Sequence, residues 1–358
     1  MPAADLALFR AFPGLRDALP RLPLLAGPTP VEPLALPGFA PGTLYVKRDE
    51  RSAPGYGGNK PRKLEFLLAG ARARGSRRLV TTGGLGTNHG LATTIHGARA
   101  GLSTTLVLID QPLTTDVREK LLLDAAYGAE LVYGRSVAGV ALATAGVLAR
   151  AHLRGERPTW IPPGGSSPLG NAGFVSAAFE LAEQVRAGAM PEPSDIYVPL
   201  GSSGTQVGLQ LGMRLAGLRT RVVGVLVTDI LPPTPRRMLR AAHATLALLR
   251  RADASIPNTR LTLDDFYVVR DQLGEGYGVP TAAGRAALEA AADAGLSLDT
   301  TYTGKCLAAL IERAADPASG PLLFWNTYNA IDAVAAAPQP LEPALLPPAL
   351  QRRLAREA

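Results

Sequence analysis

Two hydrophobic periods alternate along most of this chain. Runs rich in β-branched residues and leucine occupy 78–82, 103–109 and 130–133, and each is followed by a stretch in which apolar positions recur every three to four residues, near 92–100, 115–127 and 137–153. The first pattern predicts strands and the second amphipathic helices. A second series follows: strands at 195–200 and 221–227, helices at 206–216 and near 235–247, and a last apolar run at 321–325. Alternation of this kind predicts an α/β architecture with largely parallel sheets. Between the two series, Ile161-Pro162-Pro163-Gly164-Gly165-Ser166-Ser167-Pro168-Leu169-Gly170 is rich in turn formers and reads as a crossing point between two lobes. No internal repeat is present, and the Pro/Ala/Leu-rich tail after about Ala333 predicts a peripheral helix.

At 358 residues the chain is long enough for a large core and two lobes. No run approaches the roughly 20 apolar residues that cross a bilayer, so no membrane partner is expected. The N-terminal stretch carries Asp5, Pro13, Pro20 and Pro23 rather than a basic and apolar leader, which leads to the expectation of a cytoplasmic protein. Cys306 is the only cysteine, and no Cys/His cluster has metal-ligand spacing, so neither an internal disulfide nor a metal is expected. A net charge of +7 raises the question of nucleic acid. The arginines, however, are scattered in short pairs such as Arg77-Arg78, Arg236-Arg237 and Arg352-Arg353, and aromatic residues make up only 5%. That pattern argues against nucleic acid and for a weak field attracting small anions.

Candidate chemistry begins at Lys60. Only five lysines occur, at 47, 60, 63, 120 and 305, in a chain that otherwise writes positive charge as arginine. Arginine cannot replace lysine where a neutral amine must attack a carbonyl. Lys60 follows the turn Gly57-Gly58-Asn59 and opens an amphipathic helix, so it reads either as a reactive amine or as a solvated first-turn residue. The loop Gly201-Ser202-Ser203-Gly204-Thr205 follows a predicted strand and opens a helix, a place where backbone N–H groups and the helix dipole meet an anion. It lacks the Gly-Lys-Ser/Thr ending of a nucleotide loop, Gly304-Lys305 lacks the earlier glycine, and Gly83-Gly84-Leu85-Gly86 lacks the third glycine of a dinucleotide site. The ordinary alternative for each loop is a βα turn.

Together with Pro28-Thr29-Pro30, Lys47-Arg48-Asp49, the stretch 79–90 and Tyr302-Thr303-Gly304-Lys305, these segments resemble, in order and spacing, a known family. It is the pyridoxal-phosphate enzymes of the tryptophan synthase β-subunit fold, in the branch of 1-aminocyclopropane-1-carboxylate deaminase and D-cysteine desulfhydrase. The resemblance runs to about Asn329. It implies a two-domain α/β fold, each domain a mostly parallel sheet flanked by helices. Residues 1–62 and 174–358 would form the large domain and 63–173 the small inserted one. A pyridoxal 5'-phosphate cofactor, a small amino-acid substrate and a homodimer are also implied. Lys60 matches the family's cofactor-anchoring lysine, which also moves the substrate α-proton. Gly201, Ser202, Ser203, Gly204 and Thr205 match the phosphate loop, Thr327 the hydroxyl facing the pyridine nitrogen, and Asn88 the contact to the ring hydroxyl. Thr87, Asn88 and His89 match the substrate-carboxylate site, and Tyr277 and Tyr302 the two active-site tyrosines. Asn88 also reads as a helix cap, the tyrosines as core aromatics, and His89 as a cap or a proton relay.

Several positions depart from the family. Thr303 stands where the deaminase has a glutamate, which favours the desulfhydrase. Asn326-Thr327-Tyr328-Asn329 replaces His-Thr-Gly-Gly, Gly90 and Leu91 replace an arginine, and Thr87 replaces a serine. The expected activity is α,β-elimination from D-cysteine or a related amino acid, giving a keto acid, ammonia and sulfide. The alternatives are the deaminase reaction, β-replacement, or cofactor binding without catalysis.

Overall fold

The two series of strands form two separate sheets. The computed structural model describes residues 5–313 and 320–356. In chain order the strands are β1 (Val31–Pro33), β2 (Leu44–Lys47), β3 (Arg78–Gly84), β4 (Ser103–Ile109), β5 (Glu130–Arg135), β6 (Thr159–Trp160), β7 (Asp195–Leu200), β8 (Arg221–Leu226), β9 (Tyr267–Val269) and β10 (Leu322–Trp325). The larger sheet runs β1-β2-β10-β7-β8-β9 and the smaller β5-β4-β3-β6. Every pairing is parallel except β1 with β2.

The helices are α1 (Ala7–Ala11), α2 (Leu15–Ala18), α3 (Lys60–Ala73), α4 (Asn88–Arg99), α5 (Thr115–Ala126) and α6 (Val137–Leu153) in the first half. In the second half come α7 (Pro168–Arg186), α8 (Gly204–Ala216), α9 (Pro235–Ala252), α10 (Ala282–Asp293), α11 (Thr303–Arg313) and α12 (Pro348–Ala355). One face of the larger sheet, through Ile196, Val198 and Val222, packs on α7, α8 and α9. The other face, through Tyr197, Val223 and Phe324, packs on α10 and α11. Helices therefore cover both faces, as parallel strands buried on both sides require. On the smaller sheet, Leu79 packs with α3 and α4, Leu106 and Leu108 with α5, and Val80 and Val107 with α6.

Among the departures from the sequence expectation, three stand out. Helix α4 begins at Asn88 rather than near 92, because the Thr87 hydroxyl accepts the Gly90 N–H and caps it. Its first turn, Asn88-His89-Gly90, carries no apolar period to reveal it. Helix α9 continues past 247 to Ala252. Most consequential, the turn-former stretch ends at Ser167, which caps α7 by accepting the Gly170 N–H, with Pro168 in the first turn. Helix α7 is buried on nearly every side, from Ala172 to Ala182, so its sequence shows no amphipathic stripe. It lies so close to α8 that a Cβ on Gly212 would stand 2.4 Å from the Ala178 Cβ.

The chain end crosses to the smaller sheet. The Ala333 carbonyl accepts the Tyr127 hydroxyl, Gln339 donates to the Ala126 carbonyl, and Arg353 pairs with Asp110. Leu346, Leu350 and Leu354 then join the cluster of Leu106, Val117 and Leu121.

Beneath α3 lies a buried set of charges. Asp49 accepts from Arg62 at 2.7 and 2.8 Å, from the Thr29 hydroxyl at 2.8 Å and from the Trp325 indole at 2.7 Å. Glu180 accepts from Lys47 at 2.6 Å and from Arg62 at 2.9 and 3.0 Å. Burial pushes the Glu180 carboxyl up, but the Arg62 and Lys47 charges outweigh it and hold it at about 2. With the folded value below the ordinary 4.5, this group contributes stability that is complete above pH 4.5 and lost as pH falls through about 2. Asp49→Ala leaves Arg62 buried without one of its two carboxylates and without two of its five hydrogen bonds. It is expected to cost about 3–5 kcal/mol in urea unfolding of the apoprotein; an unchanged midpoint would show the network to be dispensable.

Candidate active site

Both sheets end at one cavity of about 430 Å³. The approach to Lys60 depends on Gly58, whose φ of +80° is left-handed and whose absent side chain makes room: a Cβ there would lie 2.7 Å from the Thr327 carbonyl oxygen. The next residue, Asn59, donates its N–H to that same carbonyl at 3.2 Å. The start of α3 is thus pinned to the segment that follows β10. Lys60 donates to the Asn59 side-chain oxygen at 2.8 Å, and Asn59 donates to the Thr205 hydroxyl at 3.1 Å. Burial among protein atoms lowers the Lys60 amine to about 8, against the opposing pull of Asp299. Its position in the first turn of a helix, at the positive end of the dipole, acts in the same direction.

The loop between β7 and α8 is strained into a cup. Ser203 takes a left-handed φ of +68° and stands as the N-cap of α8. The Gly204 N–H donates to the Ser166 hydroxyl at 3.1 Å, which itself donates to the Ser202 hydroxyl at 2.8 Å. Gly204 leaves space that a Cβ would fill, 2.5 Å from Ser166 Oγ and 2.8 Å from Lys63 Nζ. Lys63 is buried beneath this cup, donating to the Gly164 carbonyl at 3.0 Å, and has no carboxylate paired with it among the described residues. Burial, then the nearby Lys60 charge, push its amine well below the usual lysine range. A dianion seated in the cup would supply the opposite charge that this site lacks. The donors present, a helix N-terminus, small hydroxyls and a buried amine, therefore fit a phosphate group.

On the opposite wall, Thr87 is occupied as the α4 cap, which removes both Asn88 and His89 from that role. Asn88 accepts from the Tyr56 hydroxyl at 3.1 Å and donates to Asp299 at 3.2 Å. His89 is buried with one ring nitrogen on the Thr81 hydroxyl and Nδ1 without a partner; burial, with Lys60 and Lys63 nearby, keeps the ring neutral. Thr303 donates both its N–H and its hydroxyl to Asp299, which also accepts the Tyr302 N–H. The Tyr277 and Tyr302 hydroxyls form a short hydrogen bond at 2.5 Å. Burial pushes Tyr277 up to about 12 and Tyr302 well above its ordinary value, so both are neutral phenols. Lys305 donates to the Leu273 and Gly276 carbonyls and so fixes the loop that presents Tyr277. Tyr328 donates its hydroxyl to Asp116 at 3.0 Å, with Lys120 4.8 Å from its ring centre. Cys306 packs in the core of the larger sheet, its thiol pushed up by burial, and is remote from nucleophilic chemistry.

The cavity wall brings together Lys60, Thr87, Asn88, His89, Gly201, Ser202, Ser203, Thr205, Tyr277, Tyr302 and Thr327; Gly204 lies just behind it. The sequence reading left Asn59, Ser166 and Asp299 out of the site and did not assign Lys63 a place in it. The spacing of Lys60 and Lys63 on one helix was the available signal for Lys63. For Ser166, the signal was the turn-former stretch 161–170, which was read as a crossing point between lobes and as similar to the family's Gly-Gly-Ser stretch, with no site role given to Ser166.

Comparison with known proteins agrees with this geometry. A nocardicin C-9' epimerase of Nocardia uniformis subsp. tsuyamanensis is 36% identical over 323 residues, covering 88% of this chain and 94% of that protein. A D-cysteine desulfhydrase of Klebsiella pneumoniae (strain 342) is 33% identical over 326 residues, covering 87% and 94%. A solved structure described as an ACC deaminase homologue superposes with a TM-score of 0.73 at 28% identity, over 91% of this chain and 95% of that one. O-ureido-L-serine synthase, at 19% identity and a TM-score of 0.58, shares the fold. Residues 22–327 match the family described as pyridoxal-phosphate dependent enzyme. That span takes in both sheets, the Lys60 turn and the loop before α8, and the chain belongs to the pyridoxal-phosphate dependent enzyme family.

Proposed function

We propose that this enzyme is a lyase that eliminates the β-substituent of a small amino acid, as a D-cysteine desulfhydrase does, releasing sulfide, a keto acid and ammonia. The observation that carries the reading is the Lys60 amine, lowered to about 8 and aimed into a cavity that also contains an anion cup. Pyridoxal phosphate, when bound, supplies an electron sink for the charge left at Cα. Lys60 would hold the cofactor aldehyde, and its neutral nitrogen would serve as the base for the substrate α-proton. Gly201, Ser202, Ser203, Gly204 and Thr205 hold the phosphate with Ser166, and Lys63 balances its charge from below. Thr327 offers the ring nitrogen a neutral hydroxyl, and Asn88 serves the ring hydroxyl. The free N–H groups at the start of α4, beside Thr87 and His89, grip the substrate carboxylate. The Tyr277–Tyr302 pair stays protonated and can give a proton to the leaving thiolate.

Two features favour elimination over the deaminase reaction. Thr303 stands where the deaminase carries a glutamate, and its hydroxyl is already spent on Asp299. A second reading, epimerisation at Cα, is supported by the presence of two proton-holding groups, Lys60 and Tyr302, on one cavity. Inversion would follow if Lys60 took the α-proton from one face of Cα and Tyr302 gave its phenolic proton to the opposite face. The proposal also includes a homodimer, because α6 leaves Leu142 78% and Leu153 88% exposed, an apolar surface that a second copy would cover. The reading places the enzyme in the cytoplasm, where a single reduced thiol is at home.

Wild type mixed with pyridoxal phosphate should gain a visible absorbance band that Lys60→Ala lacks, and should form pyruvate from D-cysteine at a rate at least ~100-fold above that variant. Cα–deuterium exchange in D2O without pyruvate would instead favour epimerisation. An unchanged band in Lys60→Ala would remove the central assignment. The lysine reacts only as the free amine, so cofactor uptake by apoprotein should accelerate with rising pH and level off above about 8; a midpoint near 10.5 would mean a solvated amine. In sedimentation, Leu142→Glu should shift the protein toward monomer.

A further inference from the structure

Besides the Lys60 amine and the anion cup, the cavity has an apolar wall. Its outer part is contributed by both sheets: Ile109 ends β4, Val137 and Val140 lie in the first turn of α6, Pro162 follows β6, and Ile230 and Leu231 follow β8. All of these side chains are apolar. Two are conspicuously open to solvent at the mouth, Val137 at 47% and Leu231 at 68%. Leu231 also holds a left-handed φ of +51°, a conformation leucine seldom adopts. Among the described residues, the only formally charged side chains on the lining are Lys60 and Asp299, and Asp299 is engaged by Asn88, Tyr302 and Thr303. Beyond Lys60, the lining therefore has no charged side chain among the described residues to hold a second carboxylate, and its remaining polar groups, such as Thr82 and Thr228, are uncharged. At about 430 Å³ the whole falls within the ~300–1,000 Å³ range of sites that enclose ligands of drug size.

We propose that the natural substrate carries a bulky apolar group beyond Cβ, seated on Ile109, Val137, Val140, Ile230 and Leu231. This rests on the reading of the cavity as an amino-acid site of a pyridoxal-phosphate enzyme, and it sharpens the substrate class of that site. Free D-cysteine would occupy only the inner part, with its thiol short of the apolar wall. An amino acid extended by an aromatic or branched hydrocarbon would bury Val137 and Leu231, whose exposure is otherwise unexplained. Either chemistry proposed above, loss of a β-substituent or inversion at Cα, takes place at the inner end and leaves this wall as the selector.

Titration of the cofactor's absorbance with phenylalanine and with alanine, each as both enantiomers, tests the idea without requiring turnover. In the enantiomer that binds, phenylalanine is expected to bind at least ~10-fold more tightly than alanine. Val140→Asn and Leu231→Asn should each reduce that ratio several-fold while leaving alanine affinity unchanged. Leu231 is exposed, so its replacement does not threaten folding. The companion assay is elimination from S-benzylcysteine, in which one water and one substrate give phenylmethanethiol, pyruvate and ammonia. Its kcat/KM should exceed that of cysteine of the same configuration. Pyruvate from D-cysteine with equal affinities for phenylalanine and alanine would leave the lyase reading standing and overturn this proposal. So would variants that weaken both ligands equally. Failure of every amino acid to perturb the cofactor would overturn the amino-acid reading and this proposal with it.

Discussion

The buried exchange of charge among Asp49, Arg62, Glu180 and Lys47 is the constraint on which the site depends. Ions removed from water are costly unless each is matched in geometry and number. Here the matching is supplied by β2, by the turn after it, by α3 and by α7, with the Trp325 indole of β10 adding a donor. Those elements are far apart in sequence. Because Arg62 lies two positions after Lys60, satisfying its guanidinium fixes the first turn of α3, and with it the reactive amine, against the strands of the larger sheet. The Asn59–Thr327 backbone bond then completes the placement.

Electrostatics inside the cavity follow from the same economy. The buried carboxylates Asp49 and Glu180 serve the network below α3, and among the described residues Asp299 is the one carboxylate on the cavity lining. Lys60 and Lys63 are thereby left with little opposing charge, and each is drawn toward the neutral amine by burial. The two serve different ends. Lys60 gains reactivity from being easily deprotonated, whereas Lys63 lies under the loop where an anion restores its charge balance. The tyrosine pair, raised by burial, keeps its protons. Acid and base therefore coexist in one apolar enclosure without neutralising each other, a separation brought about by environment rather than by residue type.

Much of this was legible in the chain. The strands 103–109 and 195–200 and the helix 137–153 carry unambiguous periods and appear at those positions. The α/β class followed from the alternation of strand and helix periods, and the resemblance to the pyridoxal-phosphate family from the order of Lys60, the loop 201–205 and Tyr302. Helix α7 did not, because a helix buried on all sides has no polar face to set its period. The partnership of Lys63 with Ser166 and Gly164 was equally hidden: the residues are about a hundred positions apart, and only the packing of α7 against α3 brings them together. Asp299 was missed although it accepts the N–H groups three and four positions on, at the start of α11, as a capping Asp does; its contact with Asn88, distant in sequence, has no such local signature. The cap at Thr87 shows the converse, a local signal that a reading aimed at ligands passed over.

The return of the chain end to the smaller sheet has a mechanical consequence. The smaller sheet is joined covalently to the larger one before β3 and after β6, and it is held a third time, by packing and hydrogen bonds, through the segment after β10 that ends in α12. A body held at one point can swivel freely, and one held at two points turns about the line joining them. A third tether set off that line limits the swing and gives it a preferred sense. Any opening of the cleft must therefore stretch or slacken the very strap that carries Thr327 and Tyr328 along the cavity wall.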